Sequence, residues 1–237
     1  MNRTITFEAV GMLALFTDPL TKIGGEKMSY PVPTYSALEG LCESIYWKPT
    51  FYWVIDKVRV MNKIATFSMA VNHIFYHKPG HDRAMMTYLQ NPRYQIEAHM
   101  EWDLSRPDLK NDRNVRKHME MAKRALKVGG RRQTYFGTSE CSCDVEPCEF
   151  GNDTGYYDDI EEIPFGCMVH SIQYPRNGKD SAILLWTPVM KHGVIEFIPQ
   201  KDCKLKKSID LAPSKKFILS QNVEPIDKVD IRREFGL

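Results

Sequence analysis

Residues 34–62, TYSALEGLCESIYWKPTFYWVIDKVRVMN, contain a helix pattern followed at once by a strand pattern. The apolar side chains of the helix pattern recur on one face: Leu38, Leu41, Cys42 and Ile45. They predict a helix from Thr34 to Trp47, which Pro49 ends. Residues 50–62 are rich in aromatic and β-branched types and predict a strand.

Similar patterns alternate on both sides of this stretch. Outward from it we expect strands at 3–16, 64–76 and 93–103, a helix at 111–128, a strand-like run at 133–143, and an irregular or inserted segment at 77–92. The resulting order, β-α-β-(β)-β-α-β, predicts an α+β, ferredoxin-like (split βαβ, RRM-like) domain with insertions over residues 1–150.

The remainder of the chain predicts a second, smaller unit. Residues 165–174, 181–189 and 193–200 have strand character, and Asn177-Gly178 is a hairpin turn signal. We therefore expect a small antiparallel β domain over residues 151–237, which includes a Lys-rich tail from residue 201.

Composition excludes several protein classes. Of 237 residues, 43% are apolar and 26% charged, which is typical of globular proteins. No apolar run approaches the ~20 residues of a membrane span, and we find no signal peptide, so we expect a cytoplasmic protein without membrane contact. The six cysteines are expected to be thiols, with zinc at Cys141, Cys143 and Cys148 as the alternative.

Charge is unevenly distributed along the chain. Residues 104–132 contain ten Lys and Arg against three Asp and Glu, whereas residues 140–162 contain nine Asp and Glu and no Lys or Arg. One interpretation is a polyanion site at the basic block. The other is that the two blocks pair with each other.

The predicted topology brings a set of reactive side chains to one edge of the sheet. Because the two helices run antiparallel, Tyr46 at the end of the first lies near Lys117 and His118 at the start of the second, with Arg113 and Arg116 around them. This set suits RNA cleavage without a metal. The RNA 2′-hydroxyl is the nucleophile, histidine transfers protons and lysine stabilises the phosphorane, whereas tyrosine is better as a hydrogen-bond donor than as a base.

The residues alone leave simpler interpretations open. A Lys-His pair on a basic helix is commonly a solvated face, and a tyrosine at a helix end commonly packs in the core. Gly129, Gly130, Arg131 and Arg132 form either a phosphate cradle or an ordinary helix exit. The other clusters do not support a metal: His73, His77 and His81 are interrupted by a Pro-Gly pair, and Glu97, Glu101 and Asp103 lack a second carboxylate cluster.

Several segments together resemble a known family. They are Phe16–Pro19, Gly24-Gly25, Ser29–Gly40, Ser44–Ile55, Arg116–His118 and the Gly-Gly-Arg-Arg-Gln-Thr-Tyr-Phe-Gly-Thr run from Gly129. They are similar to the CRISPR-associated RAMP proteins that cap the 5′ end of guide RNA, and to the subtype I-C (Dvulg) branch in particular. The resemblance covers essentially the whole chain and is most specific in the first 60 residues.

The resemblance implies an endoribonuclease that cuts precursor CRISPR RNA within the repeat stem-loop and leaves a 2′,3′-cyclic phosphate. It implies Tyr46, Lys117 and His118 as catalytic residues. The residues expected to bind RNA are Arg113, Arg116, Lys123, Gly129, Gly130, Arg131 and Arg132. No metal or other cofactor is expected.

The resemblance also implies partners in the cytoplasm of a prokaryote. These are the repeat hairpin, the mature guide RNA, and the backbone and large subunits of the interference complex, with double-stranded DNA left open. Two alternatives to the enzyme are a scaffold that grips the 5′ handle without cutting it and a nucleic-acid-binding module unrelated to guide processing.

Overall fold

The structure, a computed structural model, describes residues 3–21, 26–74, 79–174 and 181–209. Its strands are β1 (Thr4–Gly11), β2 (Leu13–Ala14), β3 (Lys27–Met28), β4 (Phe51–Val60), β5 (Thr66–Ile74), β6 (His81–Gln90), β7 (Arg93–Trp102), β8 (Cys143–Pro147), β9 (Glu162–Pro164), β10 (Met168–Gln173), β11 (Ala182–Trp186), β12 (Val189–Lys191), β13 (Val194–Glu196) and β14 (Leu205–Ser208). The helices are α1 (Tyr35–Ile45) and α2 (Val115–Lys127), with 3-10 turns at Pro107–Asp112 and Gln200–Asp202.

A seven-stranded sheet carries the core. Its order is β8-β1-β7-β4-β13-β12-β9, and every neighbouring pair in it is antiparallel. Alternate residues of β1 point inward, so Phe7 is buried while Thr6 and Glu8 are partly exposed. Helix α1 packs against β4, and α2 packs against β1 and β8.

Helix α1 forms where the sequence predicts it. Thr34 caps it, because its Oγ1 accepts a hydrogen bond from the Ala37 amide at 3.3 Å. The apolar face is buried as predicted. The helix ends at Ile45 because Tyr46 adopts extended backbone angles, although its amide still donates to the Cys42 carbonyl.

Helix α2 begins four residues later than predicted. Residues 107–112 form a 3-10 turn, and Asn114 then caps α2 by accepting a hydrogen bond from the Lys117 amide at 3.1 Å. The helix ends as the sequence predicts at the glycine pair. Gly130 has a φ of +102°, which a side chain rarely adopts, and its amide donates to the Ala125 carbonyl.

Two expectations of secondary structure differ from the structure. Residues 77–92, expected to be irregular or inserted, are not irregular: they include β6, which pairs with β5 over residues 81–89. The first half of β6 is largely exposed and lacks a buried alternation, so its pattern was not visible in the sequence. Of the run 133–143, only Cys143 belongs to a strand, as the first residue of β8, and Tyr135 and Ser142 form an isolated bridge, because Gly137 turns the chain with a φ of +84°.

Strands from beyond residue 150 take part in two sheets. β9, β12 and β13 extend the large sheet past β4, while β10, β11 and β14 form a separate three-stranded sheet. The division at residue 150 therefore stays a prediction. The Asn177-Gly178 turn, Gly24-Gly25, His77 and the tail from residue 210 lie outside the described residues.

The acidic block pairs with the sheet rather than with the basic block. Asp158 contacts the Arg59 guanidinium at 2.6 Å, and Asp153 contacts that of Arg93 at 2.7 Å. Both arginines lie on the large sheet. Within the described part of the chain no ion pair joins the two charge blocks.

Candidate active site between the two helices

The structure brings together the three side chains that the sequence singled out. Tyr46 follows the last turn of α1, and Lys117 and His118 lie in the opening turn of α2. The Tyr46 hydroxyl is 2.8 Å from the His118 Nδ1 atom. The end of α1 and the start of α2 therefore meet at this point.

His118 is completely buried, with 0% of its surface exposed. Its Nε2 atom is 2.8 Å from the Asp112 main-chain carbonyl, which can only accept a hydrogen bond. Nε2 must therefore carry the proton of the neutral ring, and Nδ1 accepts the hydrogen bond from Tyr46. The rings of Phe51 and Trp102 enclose the imidazole, with centroids 5.3 and 5.8 Å away.

Tyr46 is suited to donating a hydrogen bond rather than to acting as a free base. Burial raises its pKa, although Arg131 and Lys117 partly oppose this. The Arg131 guanidinium lies 4.8 Å above the Tyr46 ring, a cation–π contact. The main-chain carbonyl of Tyr46 accepts a hydrogen bond from the Trp53 indole at 2.7 Å, which fixes the backbone where α1 ends.

Lys117 is half exposed and forms an ion pair with Asp112. Its hydrogen bond to that carboxylate raises the pKa of the ammonium, so it is charged at neutral pH. The sequence left open whether Lys117 lies on a merely solvated face. Its pairing beside His118 gives it a fixed position at the edge of the site.

Asp112 is the site residue that sequence reasoning missed. Its carboxylate contacts Lys117, accepts a hydrogen bond from the Thr50 hydroxyl at 2.7 Å and lies 3.3 Å from His118 Nε2. The hydrogen bonds from Lys117 and then Thr50 lower its pKa to about 2. The sequence feature that could have pointed to Asp112 is its position two residues before Asn114, the residue that caps α2.

The residues expected to bind RNA do not share one environment. Five of them are exposed: Arg116, Lys123, Gly129, Arg131 and Arg132. Arg113 instead donates to the Asp103 and Arg106 carbonyls at 3.0 and 3.1 Å. These contacts hold its guanidinium against the loop that precedes α2.

The backbone cradle considered for the glycine run is not available. The amides of Gly129 and Gly130 donate to carbonyls at the end of α2. Those of Arg131 and Arg132 donate to the Ser44 carbonyl of α1. Any phosphate contact here falls to the arginine side chains.

The alternative metal sites have no support in the described part of the chain. There, no group of three His, Cys, Asp or Glu side chains is arranged to hold a metal ion. Cys141 and Cys143 are buried, and burial raises the pKa of each thiol. No described helix is long and apolar enough to cross a membrane.

Comparisons with known proteins identify relatives. The Cas5d family model, described as CRISPR-associated protein (Cas_Cas5), matches residues 4–198. A Thermus thermophilus protein named CRISPR pre-crRNA endoribonuclease Cas5d is 32% identical over 139 residues, 55% of this chain and only 58% of that protein. A Mannheimia succiniciproducens protein of the same name is 27% identical over 237 residues, which cover 84% of this chain and 96% of that protein.

A solved structure supports the same relationship. It is described as a crystal structure of a CRISPR-associated protein, is 32% identical, covers 87% of this chain and 97% of its own, and superimposes with a TM-score of 0.74. The sheet-rich α+β fold is therefore shared with it. Because the family model also spans most of the sequence, the resemblance is confirmed and the chain belongs to the Cas5d family of CRISPR-associated proteins.

Proposed function

We propose that this chain is a metal-independent endoribonuclease that cleaves precursor CRISPR RNA within the repeat stem-loop. The observation that carries the proposal is the hydrogen-bonded Tyr46–His118 pair with the Lys117 ammonium beside it, next to the exposed basic side chains of α2. Two relatives that are named for this activity support it. A scaffold that only grips RNA has no need of such a pair.

The arrangement suggests how a proton leaves the RNA. Tyr46 has none of its surface exposed, so in this proposal the RNA reaches its hydroxyl once a covering side chain, such as Arg131 above the ring, moves aside on binding. The hydroxyl then donates to His118 Nδ1 and accepts from the 2′-hydroxyl at the same time. As the 2′-oxygen attacks phosphorus, its proton passes to the Tyr46 oxygen while the Tyr46 proton passes to Nδ1. No free tyrosinate forms, which agrees with the raised Tyr46 pKa. The 2′-oxygen–phosphorus bond forms as the bond to the 5′-oxygen breaks. The 5′-oxygen takes a proton from solvent and leaves as a 5′-hydroxyl, and the other product is a 2′,3′-cyclic phosphate.

Lys117 has a separate role in this proposal. Its ammonium lies at the exposed edge of the site and stabilises the negative charge that develops on the phosphorane. The exposed side chains of Arg116, Lys123, Arg131 and Arg132 bind the flanking phosphates. Arg113 does not bind RNA in this proposal, because its guanidinium donates hydrogen bonds to the loop that precedes α2.

We also propose that residues 1–150 form a ferredoxin-like domain. The strand order β8-β1-β7-β4, with α1 between β1 and β4 and α2 between β7 and β8, supports this assignment. The β5–β6 hairpin is then the insertion. After cleavage, the protein remains on the 5′ handle beside the backbone and large subunits of the interference complex, in a prokaryotic cytoplasm.

The test is cleavage of an end-labelled repeat RNA in EDTA, beside the same RNA with a 2′-deoxy group at the cut site. We expect one cut that survives EDTA and disappears with the 2′-deoxy substitution. Tight binding without a cut supports the scaffold alternative. Cleavage that requires a divalent cation contradicts the metal-independent mechanism.

A further inference from the structure

Asp112 makes contacts that no other residue of the site makes. One carboxylate oxygen binds the Lys117 ammonium, and the other accepts from the Thr50 hydroxyl at 2.7 Å. The second oxygen also lies 3.3 Å from His118 Nε2. Asp112 therefore touches both proposed catalytic residues of α2 at once.

The main chain of Asp112 adds a second set of contacts. Its carbonyl accepts from His118 Nε2 at 2.8 Å and from the Asn114 amide at 2.8 Å. Because Nε2 donates to this carbonyl, Nδ1 is left as the acceptor that faces Tyr46. The position of residue 112 thus determines which ring nitrogen can take a proton.

Thr50 connects Asp112 to the rigid part of the protein. It is buried, with 1% of its surface exposed, and directly precedes β4. Its carbonyl accepts from the Asp103 amide at 3.0 Å. The loop between β7 and α2 is therefore tied to the sheet at Asp103 and at Asp112.

We propose that Asp112 is the positioning residue of this site, and this rests on the function proposed above. Through Lys117 it places the ammonium, and through His118 it maintains the imidazole with Nδ1 directed at Tyr46. It does not touch the RNA in this proposal. Its role is to fix the groups that do.

The contacts require a carboxylate rather than an amide. Lys117, Thr50 and His118 Nε2 all present donors, and a carboxylate is acceptor-only when it is ionised. An asparagine at this position has one acceptor oxygen, and its NH₂ group has to face one of those donors. Asp112→Asn therefore removes the charge and at least one of the contacts with little change in side-chain volume.

The first measurement is single-turnover cleavage of repeat RNA by Asp112→Asn. We expect the rate constant to fall about 10- to 100-fold, because displaced catalytic groups lose this much. The dissociation constant for the 2′-deoxy repeat RNA should stay within about twofold, since the charges that bind phosphates remain. The matched control is Asp108→Asn, in the same loop, where the carboxylate is exposed and pairs with Arg106. It should cleave like the unmodified protein.

Two further measurements separate positioning from general damage. In a Lys117→Ala background, Asp112→Asn should cost much less than it does alone, because part of its effect acts through Lys117. In ¹⁵N-histidine-labelled protein, long-range ¹H–¹⁵N spectra should show the Nε2–H tautomer of His118. Asp112→Asn keeps the main-chain carbonyl but weakens the side-chain contacts to Thr50 and Lys117 that hold residue 112 in place, so it should shift His118 towards a mixture of tautomers.

The proposal is wrong if Asp112→Asn cleaves as fast as the unmodified protein. It is also wrong if the variant loses the same factor with and without Lys117 while the His118 tautomer is unchanged. If the unmodified protein cuts no repeat RNA, the proposed function fails, and the tautomer measurement alone decides whether Asp112 positions His118.

Discussion

A single hydrogen bond, from the Tyr46 hydroxyl to His118 Nδ1, carries most of the proposed chemistry. Both residues have 0% of their surface exposed, so the imidazole has no route to solvent past its two partners. If protons reach His118 through Tyr46, the two side chains act as one unit. Removing either one then removes the same step.

This predicts non-additive losses for Tyr46→Phe and His118→Ala. Each variant should lower the single-turnover rate constant by about 100-fold or more, and the double variant should be within about threefold of the slower single one. Independent roles would instead multiply the two factors. Such a product would contradict the relay while leaving both residues in the site.

The convergence of Tyr46, Lys117 and His118 was predictable, but their environment was not. Helix ends follow from local patterns, so the meeting of α1 with α2 could be inferred from the order of elements. Burial and pairing depend on contacts between distant segments. Asp112 is at the site because Thr50, 62 positions away in sequence, fixes its carboxylate. No local pattern contains that information.

At the scale of elements, the start of α2 controls the site. Asn114 caps the helix, and Lys117 and His118 lie within its first turn. Asn114→Ala should lower the free energy of unfolding by about 1 kcal/mol and slow cleavage, because the first turn frays. The control is Asn111→Ala, exposed in the preceding 3-10 turn, which should change stability by less than about 0.5 kcal/mol. Equal effects of the two variants on urea unfolding and cleavage would contradict this account.

The three-stranded sheet is attached to α1 through a buried histidine. The His170 ring stacks on Tyr35 with centroids 4.5 Å apart, and its Nε2 donates to the Ile198 carbonyl at 2.9 Å. Burial lowers the pKa of His170 from 6.5 to about 4. The unfolded chain therefore binds a proton between these values when the folded protein does not.

It follows that acid destabilises this attachment. The stabilisation from neutral His170 is fully present above pH 6.5 and is lost as the pH falls towards 4, by up to about 3 kcal/mol. Urea unfolding at a series of pH values measures it. His170→Phe, which cannot titrate, should lose less stability than the unmodified protein over this interval. Parallel curves for the two proteins would exclude His170 as the cause.

The elements themselves were predicted unevenly, for a physical reason. Strands with one buried face, such as β1, β4 and β7, show their alternation in the sequence. β6 does not, because much of it is exposed and its pairing with β5 depends on backbone hydrogen bonds. Whether the chain divides at residue 150 is likewise not a local property, since β9, β12 and β13 join the large sheet from the other side of that position.

At the scale of the whole molecule, Arg59 connects the acidic block to the sheet. Its guanidinium is nearly buried and donates to the Asp158 carboxylate, the Asn152 and Asp153 carbonyls and the Gln95 side chain. These contacts attach the strongly acidic stretch to the large sheet of the protein. Asp158 and Asp153 are used in this way within the fold, and in the described part of the chain no ion pair links the acidic block to the basic side chains of α2.

Removing the Arg59 guanidinium should lower the stability of the whole fold without altering the proposed cleavage of RNA. Arg59→Ala leaves a carboxylate and two carbonyls without their buried partner, and we expect the free energy of unfolding to fall by about 3 kcal/mol. Lys191→Ala, which removes an exposed pair with Glu162, should cost less than about 1 kcal/mol. Below its melting temperature the Arg59 variant should still cleave repeat RNA, because Tyr46, Lys117 and His118 belong to other elements. If the variant loses cleavage while its urea unfolding is unchanged, then Arg59 contributes to the site itself and is not only a part of the scaffold.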